Sequence, residues 1–254
     1  MDRRNFLRSS LVALAGESIS RPAMQALLVQ PTAAVRLEPW KPGILEIHHL
    51  ATNRGNSAFL ILPDGTTMMV DAGALYGATP YLSEPKPSAA RRPGEWIGRY
   101  VQRRLQPASL SGIDFFMLTH LHADHLGALP PNATPTGEGY VCTGVSDVAS
   151  IVPIRQFVDR AWPDYTYPLP ATADFQRNYR TFLHARKKSG AKVERFRVGV
   201  QDQFKLLHNA GAYPDFEVRN LVANGEVWTG QGESTTKHFP DLTSLKPEDY
   251  PSEN

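Results

Sequence analysis

Cysteine is nearly absent from this chain of 254 residues, which contains Cys142 and no other. A single cysteine excludes an internal disulfide bond and any zinc site built from several thiolates. We expect Cys142 to be a small, buried, apolar residue. Such a chain is compatible with both oxidising and reducing compartments.

Long apolar runs are also missing, because no stretch of 18 or more apolar residues occurs. A membrane-spanning helix needs about 20 such residues, so none is expected. Net charge is small as well, with 27 basic residues against 25 acidic ones. This near balance does not favour a protein that binds nucleic acid by charge alone. The length and the 41% hydrophobic share fit one globular domain.

The N-terminus differs in character from the rest of the chain. Its run Arg3-Arg4-Asn5-Phe6-Leu7, followed by weakly apolar residues, resembles a twin-arginine export leader, although a basic N-terminal helix is the alternative. We predict a leader at 1–34, a linker at 35–42, a folded domain at 43–254, and a periplasmic or extracellular location. Removal of this leader leaves 23 basic residues (27 less 4) and 23 acidic residues (25 less 2).

Apolar patterns predict an α/β domain. Strands are expected at 44–50, 58–62, 67–71, 113–118, 192–198, 204–207 and 215–222, and helices at 95–105, 150–161 and 174–188. Pro63-Asp64-Gly65 separates the second and third of these strands and predicts a tight turn, so that the two strands pair antiparallel. The fourth strand is apolar almost throughout, which is typical of a strand that is buried on both faces.

The most informative feature of the sequence directly follows that fourth strand. His120, His122, Asp124 and His125 lie within six residues. Imidazole nitrogens and carboxylate oxygens are ligands that zinc and related divalent ions accept. His120 and His122 can point the same way because alternate residues of an extended chain share one side. We predict that the four side chains bind divalent metal; structural histidines beside a loop are the alternative.

The run Thr119-His120-Leu121-His122-Ala123-Asp124-His125-Leu126-Gly127 resembles the signature of the metallo-β-lactamase fold. Upstream, Gly55-Asn56-Ser57-Ala58, Pro63-Asp64-Gly65-Thr66 and Val70-Asp71-Ala72-Gly73 are similar to the first strands of one branch of that superfamily. This branch includes the metallohydrolase domain of competence DNA-uptake proteins. The similarity covers residues 43–130 and is looser beyond them. It implies a metallo-β-lactamase-type αββα sandwich, of which this chain would contain the N-terminal portion.

The resemblance implies a zinc-dependent hydrolase. His120 and His122 would hold one zinc ion, Asp124 and His125 a second, and a metal-bound hydroxide would attack the substrate. Asp124 would also orient that hydroxide, as the catalytic residue. The implied substrate is a phosphodiester or another small molecule, and an acyl (lactam or lactone) hydrolase is an alternative. Asp71 would support the ligands from behind, although a residue that caps a strand end is an equal interpretation.

The later part of the family pattern is not present in this sequence. The family requires a third histidine and a shared aspartate after the signature, whereas only His184, His208 and His238 follow His125 here. None of the three has the family's flanking residues, and His208 is the better candidate because it follows an apolar run. The pattern predicts a chain that is truncated at its C-terminus. The resemblance implies two zinc ions, as in the family, whereas a truncated site would retain one or none. A catalytically inactive metal-binding remnant is therefore the second hypothesis.

Overall fold

The structure, a computed structural model, describes residues 37–52, 55–76, 84–244, 246 and 248. Pro39–Asn254 forms one compact unit, and Leu37 and Glu38 are the described residues that precede it. The leader predicted at 1–34 lies outside the described residues. The linker predicted at 35–42 is described from residue 37 onwards and contains neither helix nor strand there.

Six strands form one mixed sheet, with their order in the sheet the same as their order in the chain. They are β1 Glu46–His49, β2 Ala58–Ile61, β3 Thr67–Val70, β4 Ile113–Leu118, β5 Ile154–Asp159 and β6 Lys192–Arg195. The first three strands pair antiparallel, whereas β3 to β6 run parallel. Short connections suffice between the antiparallel strands, while each parallel pair requires a longer crossover that contains helix.

The crossovers supply helices that pack on one face of the sheet. They are α1 Pro93–Leu105, α2 Ala123–Leu126, α3 Val145–Ala149 and α4 Asp174–Lys188. In α4, Tyr179, Phe182 and Leu183 share one helical face and are buried against Phe157 of β5. The predicted helix at 174–188 is therefore confirmed. Within the described residues, every helix is too short or too polar to cross a membrane.

The opposite face of the sheet is covered by irregular chain. Met68, Phe115 and Val158 form a second apolar cluster there with Phe204. Three short strands, β7 Val222–Ala223, β8 Glu226–Trp228 and β9 Thr235–Lys237, make a separate antiparallel sheet. The described chain is thus mixed α/β, as the sequence predicts.

Three secondary-structure predictions are wrong. The helix predicted at 150–161 is replaced by β5, in which Phe157 faces the helices while Val158 faces the other apolar cluster. This alternation has the period of a strand, and pairing with both β4 and β6 stabilises it. The strands predicted at 204–207 and 215–222 are irregular up to residue 221, because their apolar side chains pack onto the sheet without joining it.

Parallel pairing of β3 and β4 determines where the histidine motif lies. Met117 pairs with Val70, so the two strands end at the same edge of the sheet. The chain that leaves β3 at residue 71 and the chain that leaves β4 at residue 119 are therefore neighbours. We refer to residues 119–127 as the histidine loop.

Candidate metal centre

Asp71 is a buried carboxylate that contacts both ends of the histidine loop. Its backbone has a φ of 58°, in the left-handed region that aspartate tolerates better than most residues. Its Oδ1 accepts the backbone N–H of Thr119 at 2.8 Å, and its Oδ2 accepts the Thr119 hydroxyl, also at 2.8 Å. Oδ2 also accepts Nδ1–H of His125 at 2.8 Å. Asp71 therefore supports the loop from behind, beyond any role as a turn residue.

This hydrogen bond determines which nitrogen of His125 is available to bind a metal ion. A carboxylate only accepts hydrogen bonds, so the proton lies on Nδ1 and the lone pair lies on Nε2. That Nε2 is 3.7 Å from Oδ2 of Asp124, whose side chain is 35% exposed. The two side chains predicted to hold the second metal ion therefore lie side by side.

The three imidazoles of the loop pack against one another. The ring centroid of His120 lies 4.5 Å from that of His122 and 3.8 Å from that of His125. His122 has a buried Nε2 with no hydrogen-bond partner among the described residues. A buried nitrogen without a partner is costly unless something satisfies it, and an imidazole nitrogen is a preferred zinc ligand. The donor set and this orphaned atom both fit a zinc ion.

The four predicted ligands are brought together but do not converge on one point. Across the described ranges, no group of three or more His, Cys, Asp or Glu side chains is arranged to hold a metal ion. Instead, Nε2 of His120 lies 3.0 Å from Nδ1 of His122, within hydrogen-bond distance. Two nitrogens that bind one tetrahedral zinc ion at about 2.0–2.1 Å are roughly 3.3 Å apart, so these two rings already lie near the separation that a shared ion requires. Metal binding by His120, His122, Asp124 and His125 therefore stays a prediction.

Backbone contacts hold the second half of the loop. The N–H groups of Asn56 and Ala72 donate to the carbonyl oxygens of Asp124 (2.9 Å) and His125 (2.8 Å), respectively. Gly73 packs so closely that a Cβ there would lie 1.9 Å from the Asp124 carbonyl oxygen. Only glycine allows this approach, because the colliding atom belongs to the backbone and cannot rotate away.

Two further contacts complete the surroundings of the loop. In α4, Nε2 of Gln176 donates to the carbonyl oxygen of Leu121 at 3.1 Å. At the end of α2, Gly127 has a φ of 108°, and a Cβ there would lie 2.8 Å from the backbone nitrogen of Gly144. Gly127 therefore lets the chain turn tightly where a side chain would have no room.

None of the three later histidines takes the place of the family's third ligand. His208 was the better candidate, but its Nε2 lies 3.6 Å from Oδ2 of Asp114. Asp114 lies at the start of β4 and His120 follows its end, so at about 3.3 Å per residue the two are roughly 20 Å apart. His208 therefore lies away from the histidine loop, because the run before it packs at the opposite end of the sheet, where the N–H of Leu207 donates to Oγ1 of Thr66 at 2.7 Å. His184 and His238 are both exposed to solvent.

Cys142 has the environment of a packing residue. It is partly buried, and it packs against the main core. Burial raises the pKa of its thiol, which disfavours the thiolate form that binds metal. Cys142 is therefore a weaker candidate ligand than the imidazoles of the histidine loop.

Sequence reasoning did not identify Thr119 or Asn56 as functional residues. Oγ1 of Thr119 lies 3.1 Å from Nδ1 of His120 and 3.3 Å from Nδ1 of His125, in addition to its bond with Asp71. Asn56 lies more than sixty positions before the motif, and the fold alone brings it to Asp71. The one sequence feature that could have indicated them is that both lie in runs that resemble the metallo-β-lactamase fold.

No protein-family model matches this sequence, and no curated protein is significantly similar to it. The function must therefore be argued from the side chains at this edge of the sheet. Their chemistry is that of paired imidazole and carboxylate groups on a loop that is held by a buried aspartate.

Proposed function

We propose that this protein is a zinc-dependent hydrolase of the metallo-β-lactamase type that acts on a phosphodiester. The main support is the hydrogen bond from His125 Nδ1 to buried Asp71, at 2.8 Å. Metal-binding histidines typically donate their second ring nitrogen to a carboxylate in this way. The bond leaves Nε2 of His125 free beside Asp124, with His120 and His122 in the same cluster.

The sheet supports the proposed αββα architecture. Its parallel part, β3 to β6, packs helices on one face and presents the apolar residues Met68, Phe115 and Val158 on the other. A sandwich of this type uses such a second face to pack against another sheet. In the described residues, irregular chain with Phe204 covers that face instead.

The loop residues have separate roles in this proposal. Zinc, when bound, lowers the pKa of a water ligand to near 7 and so supplies a nucleophile at neutral pH. His120 would offer Nε2 and His122 Nδ1, the two nitrogens that lie 3.0 Å apart, and His125 would offer the Nε2 that Asp71 leaves free. Asp124 is partly exposed beside His125, and is placed to orient the attacking water and accept its proton.

Charge near the loop supports an anionic substrate. Helix α4 contains five basic residues against one acidic residue, Asp174. Arg180 lies one turn after Gln176, which contacts the loop through Leu121, and its guanidinium lies over the Tyr165 ring, 5.5 Å from the ring centroid. A phosphodiester is negatively charged, whereas a lactam or lactone bond is neutral. Arg186, Lys187 and Lys188 lie in the last turn of α4, about 15 Å along the helix from Gln176. A cation at the Gln176 end of the helix would favour the phosphodiester over the acyl alternative.

The test measures zinc content and hydrolysis in the same preparation. We expect one or two zinc ions per chain, and hydrolysis of bis(p-nitrophenyl) phosphate that a chelator abolishes and added zinc restores. The variant His120→Ala with His122→Ala should lose both bound zinc and hydrolysis while its circular dichroism spectrum stays unchanged. His184→Ala, which removes an exposed histidine of α4, should retain both.

Three other results would contradict or change the proposal. Unchanged zinc content in the double variant would refute the ligand assignment. Bound zinc without hydrolysis of any phosphodiester or acyl substrate would support the second hypothesis, an inactive metal-binding remnant. Hydrolysis of a lactam or lactone alone would replace the phosphodiester by an acyl substrate.

A further inference from the structure

Asn56 contacts two segments, the histidine loop and the chain at residues 71–73. Its backbone N–H donates to the carbonyl oxygen of Asp124 at 2.9 Å, and its own carbonyl accepts the N–H of Gly73 at 2.9 Å. Its side-chain Nδ2 donates to Oδ2 of Asp71 at 3.0 Å. Asn56, two residues before β2, is therefore bonded to the backbone of Asp124, one predicted ligand, and to the carboxylate that holds His125, another.

The amide of Asn56 complements the other donors to Asp71. Oδ2 of Asp71 also accepts from Oγ1 of Thr119 and from Nδ1 of His125, each at 2.8 Å. An amide N–H₂ brings a donor without a charge. It donates a hydrogen bond to the buried oxygen and so fixes the plane of the carboxylate. Because the amide is a donor here, it leaves the Nδ1 proton of His125 in place. Rotation of Asp71 would break the bonds to Asn56 and His125 together.

We infer that Asn56 is a positioning residue for the metal-binding pair Asp124 and His125. Its side chain orients His125 through Asp71, and its backbone holds Asp124 directly. This inference rests on the proposed function, since it concerns zinc binding at the same site. The competing interpretation is that Asn56 only shapes the turn between β1 and β2.

Substitution of Asn56 separates the two roles. Asn56 is not among the described non-glycine residues with positive φ, so alanine and serine fit its backbone without strain. Both variants keep the backbone bond to Asp124, and both lose the amide. Serine is a good turn residue, but its hydroxyl is too short to replace the amide at Asp71. A turn role predicts that Asn56→Ser behaves like the wild type, whereas a positioning role predicts that Asn56→Ser and Asn56→Ala are equally impaired.

The measured quantities are the zinc dissociation constant, from competition with a chromophoric chelator, and the visible spectrum of the cobalt-substituted protein. We expect zinc at one site to bind about 10- to 100-fold more weakly in both variants, the usual effect of removing a group that orients a metal ligand. The cobalt spectrum should change in both variants, and the Tm of the metal-free protein should fall by the same amount in both, because each leaves Oδ2 of Asp71 with one donor fewer.

Asn178→Ala is the matched control. The side chain of Asn178 makes two hydrogen bonds, to the backbone N–H (2.7 Å) and carbonyl (3.0 Å) of Val141. Its loss should lower the Tm and leave zinc affinity unchanged. Wild-type affinity and cobalt spectra in both Asn56 variants would overturn the inference and leave the proposed function intact. A wild-type protein that binds no zinc would overturn the proposed function, and this inference with it.

Discussion

At the amino end of β4, the carboxylate of Asp114 accepts the backbone N–H (2.9 Å) and the hydroxyl (3.1 Å) of Thr67. At the carboxyl end, the carboxylate of Asp71 accepts the same two kinds of donor from Thr119 and, in addition, a ring N–H from His125. Both aspartates are buried. The difference lies in the imidazole: Nδ1 of His125 donates to Asp71 at 2.8 Å, whereas Nε2 of His208 lies 3.6 Å from Asp114, beyond hydrogen-bond distance. An imidazole that donates through one nitrogen keeps a second nitrogen that can bind something else.

Near the amino end of β4, carboxylates hold separate segments of the backbone together. Asp64, in the β2–β3 turn, accepts the backbone N–H groups of Thr66 (2.9 Å), His208 (2.8 Å) and Asn209 (3.0 Å). These bonds attach the 208–209 segment to the turn. A backbone N–H group has no second atom that could bind a metal ion, so this arrangement offers no ligand. Burial of a carboxylate alone therefore does not identify a functional site; the nature of its donors does.

Gly73→Ala should have the largest effect. Its Cβ would lie 1.9 Å from the carbonyl oxygen of Asp124, and this backbone atom can move only with the histidine loop. We expect a destabilisation of about 3 kcal/mol, at the upper end for overpacking, and loss of bound zinc. Urea unfolding and zinc analysis measure the two effects. Gly211→Ala is the control, since a Cβ there meets nothing within 4 Å. Equal behaviour of the two variants would contradict the close approach.

Asp71→Asn and Asp114→Asn compare the two ends of β4 directly. Asparagine tolerates the left-handed backbone at position 71 but weakens the hold on His125. We expect zinc affinity to fall about 10- to 100-fold in Asp71→Asn. In Asp114→Asn we expect lower stability and unchanged zinc affinity. The comparison fails if zinc binding weakens equally in both variants.

Asp64→Asn should have the smallest effect, and that effect should depend on pH. Burial opposes ionisation of Asp64, but the N–H groups of Asn209, Thr66 and His208 outweigh it and lower the pKa of the carboxyl below its usual 3.8. A lowered pKa stabilises the fold above pH 3.8 and loses that contribution as the pH falls through the folded-state value. We expect a loss of about 1 kcal/mol at pH 7, allowing for solvent screening.

Urea unfolding of the wild type and Asp64→Asn across the pH range measures this difference. The two proteins should converge in stability in acid, below the folded-state pKa of Asp64. Zinc affinity should be the same in both at pH 7. A stability difference that persists unchanged in acid would show that the charge of Asp64 is not its cause.

Local patterns were sufficient for α4 and for the β2–β3 hairpin. The apolar residues of 174–188 recur with the helical period, and Pro63-Asp64-Gly65 specifies its turn by the conformations that those residues prefer. The histidine loop was also evident, because its four candidate ligands lie within six positions. Such features depend on neighbours in the chain, so no knowledge of the fold is required.

Tertiary structure decided the rest, for reasons of sheet pairing. β5 is a strand because β4 and β6 lie on either side of it, although its sequence alone suggested a helix. Asp71 reaches His125, and Asn56 reaches Asp124, only because parallel pairing brings the exit of β3 beside the exit of β4. The residue types specified the candidate ligands, whereas distant segments, brought together by hydrogen bonds across the sheet, determined which nitrogen of His125 is left free.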